Sequence, residues 1–161
     1  MQIIKTFTIL YLLVLAIALG SGLFAGAVTA PVVFHANDYI AGADLSRYEM
    51  GSLMSEIFRR LAFIVDLSLI FIILDEGRKL LQKQKEWFST LMAVLAVISG
   101  YLFSFYFVPE ILSMQQIGPL ATRSEVFETL HADSELWFKV YILAIAALLV
   151  KGLLRTNGSR D

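Results

Sequence analysis

Residues 87–108 read WFSTLMAVLAVISGYLFSFYFV, twenty-two residues without a charge, closed by Pro109. At ~1.5 Å per residue, a helix of that length crosses the ~30 Å hydrocarbon core of a bilayer. On the N-terminal side, residues 6–34 form a second such stretch, with no charge between Lys5 and Asp38. On the C-terminal side, 136–154 is a third, with Trp137 and Lys139 placed as interfacial anchors. Between them, Leu61–Leu74 is short and contains Asp66. To span, it must extend back through Ser55, drawing Arg59 and Arg60 to the outer part of the bilayer. Spans at about 6–34, 50–74, 87–108 and 136–154 therefore make one membrane domain over 1–161. Backbone groups in hydrocarbon must be satisfied within their own segment, so the spans are helices. The alternating ten-residue segments of a β-barrel are absent. The expected fold is an all-α, integral membrane four-helix bundle.

Composition agrees. Of the 161 residues, 58% are hydrophobic and 17% charged, where a soluble domain has roughly 45–50% and about 25%; mean hydropathy is +0.72. With no cysteine, disulfide scaffolds, thiolate metal sites and cysteine nucleophiles are excluded. A net charge of −1 with no basic tract gives no field for nucleic acid, so the expected partners are the lipid bilayer and a homo-oligomer or other membrane protein. Val28-Thr29-Ala30 imitates a signal-peptide cleavage site. The apolar run continues past it to Phe34, so a retained first helix is expected.

Basic residues set the orientation. With the N-terminus inside, the cytoplasmic side receives Lys5, Arg78, Lys79, Lys83, Lys85, Lys151, Arg155 and Arg160, most of the bias coming from loop Asp75–Glu86. Arg47, Arg59, Arg60, Arg123 and Lys139 fall outside or at the outer interface. Both termini are expected in the cytoplasm of an inner-membrane protein. Most of the acids and both histidines then gather on the outer side, which predicts the chemistry there.

Ala18, Gly22, Gly26 and Ala30 are spaced by four in the first helix. Such a stripe lets two backbones approach closely, as a seam within the bundle or a dimer seam. Gly100 and Ser104 repeat the device. Asp44 is the expected N-cap of the second helix. Along that helix Gly51, Ser55, Arg59, Ala62 and Asp66 share one face, and polar atoms there should turn inward. Arg59 and Asp66 lie two turns apart, with Glu56 a nearer partner for Arg59 and Arg60. Asp66 reads either as a proton- or ion-handling carboxylate or as a packing residue bonded to Ser68, Ser99, Ser104 or a tyrosine. Glu110 can pair with Arg59 or Arg60. Arg59, Asp66, Glu110 and His131 are the candidates for an outer polar pocket.

His35 and His131 are the candidate metal ligands. If the helix ends converge, they could bind copper or ligate haem iron axially, but no HxxxH or HExxH spacing supports it. Met50 and Met54 read as packing before thioether ligands. No Ser–His–Asp set, P-loop or GxGxxG stands at useful spacing, so no catalytic residue is proposed and no cofactor is expected. In the last outer loop, one short interfacial helix should end at Gly118-Pro119, and Thr122–Glu125 offers the start of a second.

Gly22-Leu23-Phe24 leading to Ala30–Phe34, Gly51–Phe58 and Phe127–Ser134 stand in order along the chain. Together they resemble a membrane family that includes transmembrane protein 205 and its bacterial relatives, grouped as domain of unknown function 4149. The first loop, Ala36–Glu49, is longer than the eukaryotic pattern, and an asparagine often found after the last motif is missing. The resemblance implies a four-helix integral membrane protein without an established activity. It also implies a remote likeness to copper-resistance D-type proteins and haem-linked protoporphyrinogen oxidases, which touches His35 alone. The function expected is a non-enzymatic accessory or transport-related bundle, with a haem- or copper-binding redox or metal-handling protein as the alternative.

Overall fold

The computed structural model describes residues 2–84 and 86–157. Lys85 and Arg160, counted for orientation, lie outside the described residues, as does the side chain of Lys5. The described chain is helical almost throughout, with no strand. Helix α1 (Gln2–Phe24) passes through a π turn, Ala25–Thr29, into α2 (Ala30–Phe34) and the short α3 (Ala36–Tyr39). Next comes α4 (Arg47–Leu81). Helix α5 (Trp87–Tyr101) passes through a second π turn, Leu102–Phe107, into α6 (Val108–Ile117). A 3₁₀ turn, Ala121–Arg123, leads to α7 (Glu125–Asn157).

Helix α1 packs on α4 and α7, and α5 packs on the same two, closing a ring of four rods. Three rods, Thr6–Phe34, Trp87–Ile117 and Glu125–Arg155, are long and apolar enough to cross a membrane. The perimeter is apolar too: Ile9, Phe63, Ile70, Ile98 and Leu143 all stand exposed. An apolar girdle of this extent fits lipid and not water. The chain is an all-α membrane bundle. One end holds the start of α1, the turn 82–83 and the end of α7 (the turn end); the other holds loops 40–46 and 118–124 (the loop end).

Several boundaries differ from expectation, each for a local reason. Helix α4 starts after Ser46, not Asp44. Ser46 Oγ accepts the Glu49 N–H while Glu49 Oε2 accepts the Ser46 N–H, a reciprocal box that satisfies two orphan donors. It also runs on to Leu81 through Asp75–Lys79, which was expected to be loop. Pro109 does not close the third span. A proline removes one helical hydrogen bond and pushes on the carbonyl four residues back. The π turn Leu102–Phe107 ends two residues before Pro109, and Ala25–Thr29 ends two residues before Pro31. The wider turn accommodates each ring and keeps the rod continuous. The short helix expected before Gly118-Pro119 is α6, joined to α5; it stops where Gly118 takes φ +120°, a conformation open to glycine. The start expected at Thr122–Glu125 is also present, the Phe127 N–H donating to Ser124 Oγ. With no glycine or proline in 126–151, that helix continues unbroken as α7.

The core lies along the ring axis, where Leu15, Val65, Ile72, Tyr141 and Ile145 are fully enclosed. Ala18 is buried, and a Cβ built on Gly22 would meet Ile142 Cδ1 at 2.5 Å, so this half of the small-residue stripe is an internal seam between α1 and α7. Gly26 faces open space. At Gly100 a Cβ would lie 2.8 Å from Leu69 Cδ2 and 3.0 Å from the Tyr141 ring, which fixes the approach of α5 to its two adjacent rods, α4 and α7.

Candidate functional site

The densest buried polar chemistry is at the turn end, on the segment expected to be solvent loop. Asp75 is 1% exposed. Its Oδ1 accepts from Arg78 Nη2 at 2.5 Å, and Lys79 Nζ lies 2.8 Å from its Oδ2. Lys79 also donates to Glu76 Oε1 at 2.6 Å and to Ser89 Oγ on α5 at 2.8 Å. Thr90 Oγ1 on α5 donates to Glu76 Oε2 at 2.9 Å. On the α1 side, the Arg78 guanidinium sits 5.3 Å from the Phe7 ring centroid, with Nη1 3.4 Å from Thr8 Oγ1. Two acids and two bases cancel in formal charge and fasten α4 to both neighbours. Such a cluster is tolerated in a low-dielectric interior because each ion has its counter-ion within reach. Arg78 Nε remains shielded without an acceptor. Nearby, Lys151 of α7 pairs with Glu86, and its Nζ stands 4.9 Å from the Phe88 ring centroid.

At mid-depth a cross-bundle polar contact involves Ser68, whose Oγ donates to Val65 O at 2.7 Å and shares a 2.6 Å hydrogen bond with Tyr141 Oη. Asp66 is half-buried, and its Oδ1 is shielded with no hydrogen-bond partner. The expected bonds from Asp66 to Ser68, Ser99 or Ser104 are not made: Ser99 Oγ donates to Leu95 O instead.

The loop end carries exposed charge. Glu56 takes Arg59 Nε at 2.6 Å and Arg60 Nε at 2.8 Å, so the nearer partner expected from spacing is the one used. Arg59 is exposed and does not turn inward, because its guanidinium reaches Glu56 within one turn. Glu110 is exposed as well, and the pairing expected with Arg59 or Arg60 does not form. His131 is exposed and stacks on Phe127 at 6.2 Å between centroids. Among the described residues no hydrogen bond or ion pair joins any two of Arg59, Asp66, Glu110 and His131. A groove at this end is lined by Tyr106, Glu125, Val126, Thr129, Leu130 and Asp133, none of the four. His35 Nδ1 lies 2.8 Å from Pro31 O and donates to it, an ordinary end-of-helix bond. No group of three His, Cys, Asp or Glu among the described residues could hold a metal. Met50 and Met54 are buried in packing. Gln115 of α6 is buried and donates to Ser55 Oγ at 2.8 Å, while Tyr48 Oη donates to Gln115 O at 2.7 Å, tying α6 to α4. Outside the span, the Ser46 hydrogen bonds hold the Glu49 carboxyl below its ordinary pKa.

The turn-end cluster was missed because a run of charges reads as loop. The available signal was spacing. Asp75–Glu76–Gly77–Arg78–Lys79 places acids three and four residues ahead of bases, the arrangement that pairs on a helix.

The family described as Domain of unknown function (DUF4149) matches residues 13–119. No curated protein and no solved structure matches the chain.

Proposed function

The chain belongs to the DUF4149 family, and on that premise we propose a four-crossing inner-membrane protein with both termini cytoplasmic, acting as a non-enzymatic accessory or transport-related bundle. The observation that carries the fourth crossing is on α4. Glu56 clamps Arg59 and Arg60; Asp75 clamps Arg78 and Lys79. From Glu56 to Asp75 is nineteen residues of unbroken helix, ~28 Å at ~1.5 Å per residue, against a hydrocarbon core of ~30 Å. Between Leu61 and Leu74 only Asp66 is charged. The two charged clamps thus fit the two edges of the bilayer. Lys83, Lys151 and Arg155 at the turn end support its cytoplasmic placement.

The accessory role rests on the packed centre. Leu15, Val65, Ile72, Tyr141 and Ile145 fill the mid-depth interior, which supports a bundle that does not itself conduct. Topology reporters inserted after Gly42 and after Lys83 test the crossing. Opposite sides are expected, with Lys83 cytoplasmic; the same side for both removes the fourth crossing, and an outer Lys83 reverses the orientation. For the role, the purified protein is expected to be colourless and to pass no protons in proteoliposomes. A Soret band lost on His35→Ala, or proton flux lost on Asp66→Asn, would overturn it.

A further inference from the structure

At the turn end the outward faces of α5 and α7 leave a groove of about 780 Å³ open to the surroundings. Its wall is apolar, formed by Phe88 of α5 with Ala146, Ala147 and Val150 of α7. The alanines hold the two helices' flanks back and leave a channel along α7. From Ala146 to Arg155 that channel runs nine residues, ~13 Å at ~1.5 Å per residue. It therefore reaches from the bilayer edge well into the hydrocarbon. Its outer end changes character, with Lys151, Arg155 and Glu86 on the rim. Arg155 is exposed and has no ion-pair partner among the described residues, whereas Lys151 is held by Glu86. The first turn of α5 begins at the same rim, and Glu86 at its N-cap makes no side-chain cap bond.

We infer that this groove is a binding site for one anionic phospholipid, its acyl chain along Phe88, Ala147 and Val150 and its phosphate on Arg155 and Lys151. Charge complementarity selects the headgroup. The rim carries two cations against one carboxylate, and a helix N-terminus adds positive potential. A zwitterionic headgroup would bring a second cation against Arg155. Basic recesses between helices at a membrane edge hold acidic headgroups for this reason. Glu86 competes with the phosphate for Lys151, so the site carries its own attenuator.

The test uses the full chain reconstituted in vesicles of equal phosphatidylglycerol and phosphatidylcholine, re-extracted in mild detergent, with co-purified lipid counted by native mass spectrometry. Phosphatidylglycerol should be retained over phosphatidylcholine by about fivefold for each free cation. Arg155→Gln should lower that preference about fivefold, and Glu86→Gln should raise it, since Lys151 is released. Ala147→Phe, which alters no charge, should expel the lipid by filling the channel. Equal retention of the two lipids by the wild type overturns the proposal, as does a preference unchanged in Lys151→Gln/Arg155→Gln. Displacement of the lipid by millimolar inorganic phosphate alone also overturns it, because the site would then recognise a free anion. Arg155 and Glu86 are exposed, so their variants keep the fold, and helical circular dichroism checks this before the count.

Discussion

Helix α4 carries the same local device twice. Glu56 reaches cations at i+3 and i+4, and so does Asp75. Their surroundings separate them. At the loop end the Glu56 side chain is 41% exposed and its partners 54% and 76%. At the turn end the figures are 2%, 18% and 8%. An exposed pair in high dielectric contributes little. The buried one has no water to fall back on, so its partners are obligatory, and Ser89, Thr90 and Thr8 make it a joint among three rods. Sequence spacing is identical in the two cases; burial alone makes one a surface ornament and the other a structural joint.

Asp75→Ala breaks the comparison most severely. It strands Arg78 and leaves Lys79 to Glu76 and Ser89, a loss of about 3–5 kcal/mol for a buried pair deprived of one partner. The expected readout is a large drop in the thermal or SDS unfolding midpoint in detergent; a midpoint within error of wild type would mean that water enters the cluster freely. Ser46→Ala sharpens the exposed end. Removing this cap should cost about 1 kcal/mol at neutral pH. Because the folded pKa of Glu49 is depressed by Ser46, its contribution is present above the ordinary carboxyl value of 4.5 and is lost as pH falls through the lowered one. Unfolding curves for wild type and Ser46→Ala should therefore converge in acid, and a constant gap down to the lowest pH would assign the effect to the hydroxyl alone. Glu56→Gln is the smallest perturbation. Its unfolding midpoint should stay at the wild-type value in moderate salt, and a shift comparable to that of Asp75→Ala would abolish the distinction between the ends.

Much of this was legible from the residues. Three rods follow from apolar length alone, because hydrocarbon leaves the backbone no other partner. The Gly118 stop and the intramolecular half of the small-residue stripe were legible for the same kind of local reason. What was hidden depended on cancellation between neighbours. Taken one by one, the charges in Asp75–Lys79 signal a loop, whereas on a helix they neutralise one another and stay inside. Pro109 was read as a terminator because the compensating π turn has no sequence mark in Leu102–Phe107. Outer acids and histidines clustered in sequence near one membrane face, yet sharing a face does not bring side chains into contact: Glu110 and His131 each look outward from separate rods. Burial and partner choice depend on how rods rotate against each other, which no single segment specifies.

The two π turns set the rotational register of the rods beyond them. Each holds one residue more per turn than the α-helical turn it replaces, and each is followed two residues later by a proline. Excising one residue from Ala25–Thr29 or Leu102–Phe107 would restore a regular coil but swing everything beyond it by ~100° about the axis. In the second case Gln115 would then be carried away from Ser55 and Tyr48. Register beyond each π turn therefore depends on its extra residue, and a single deletion there acts on the whole distal rod.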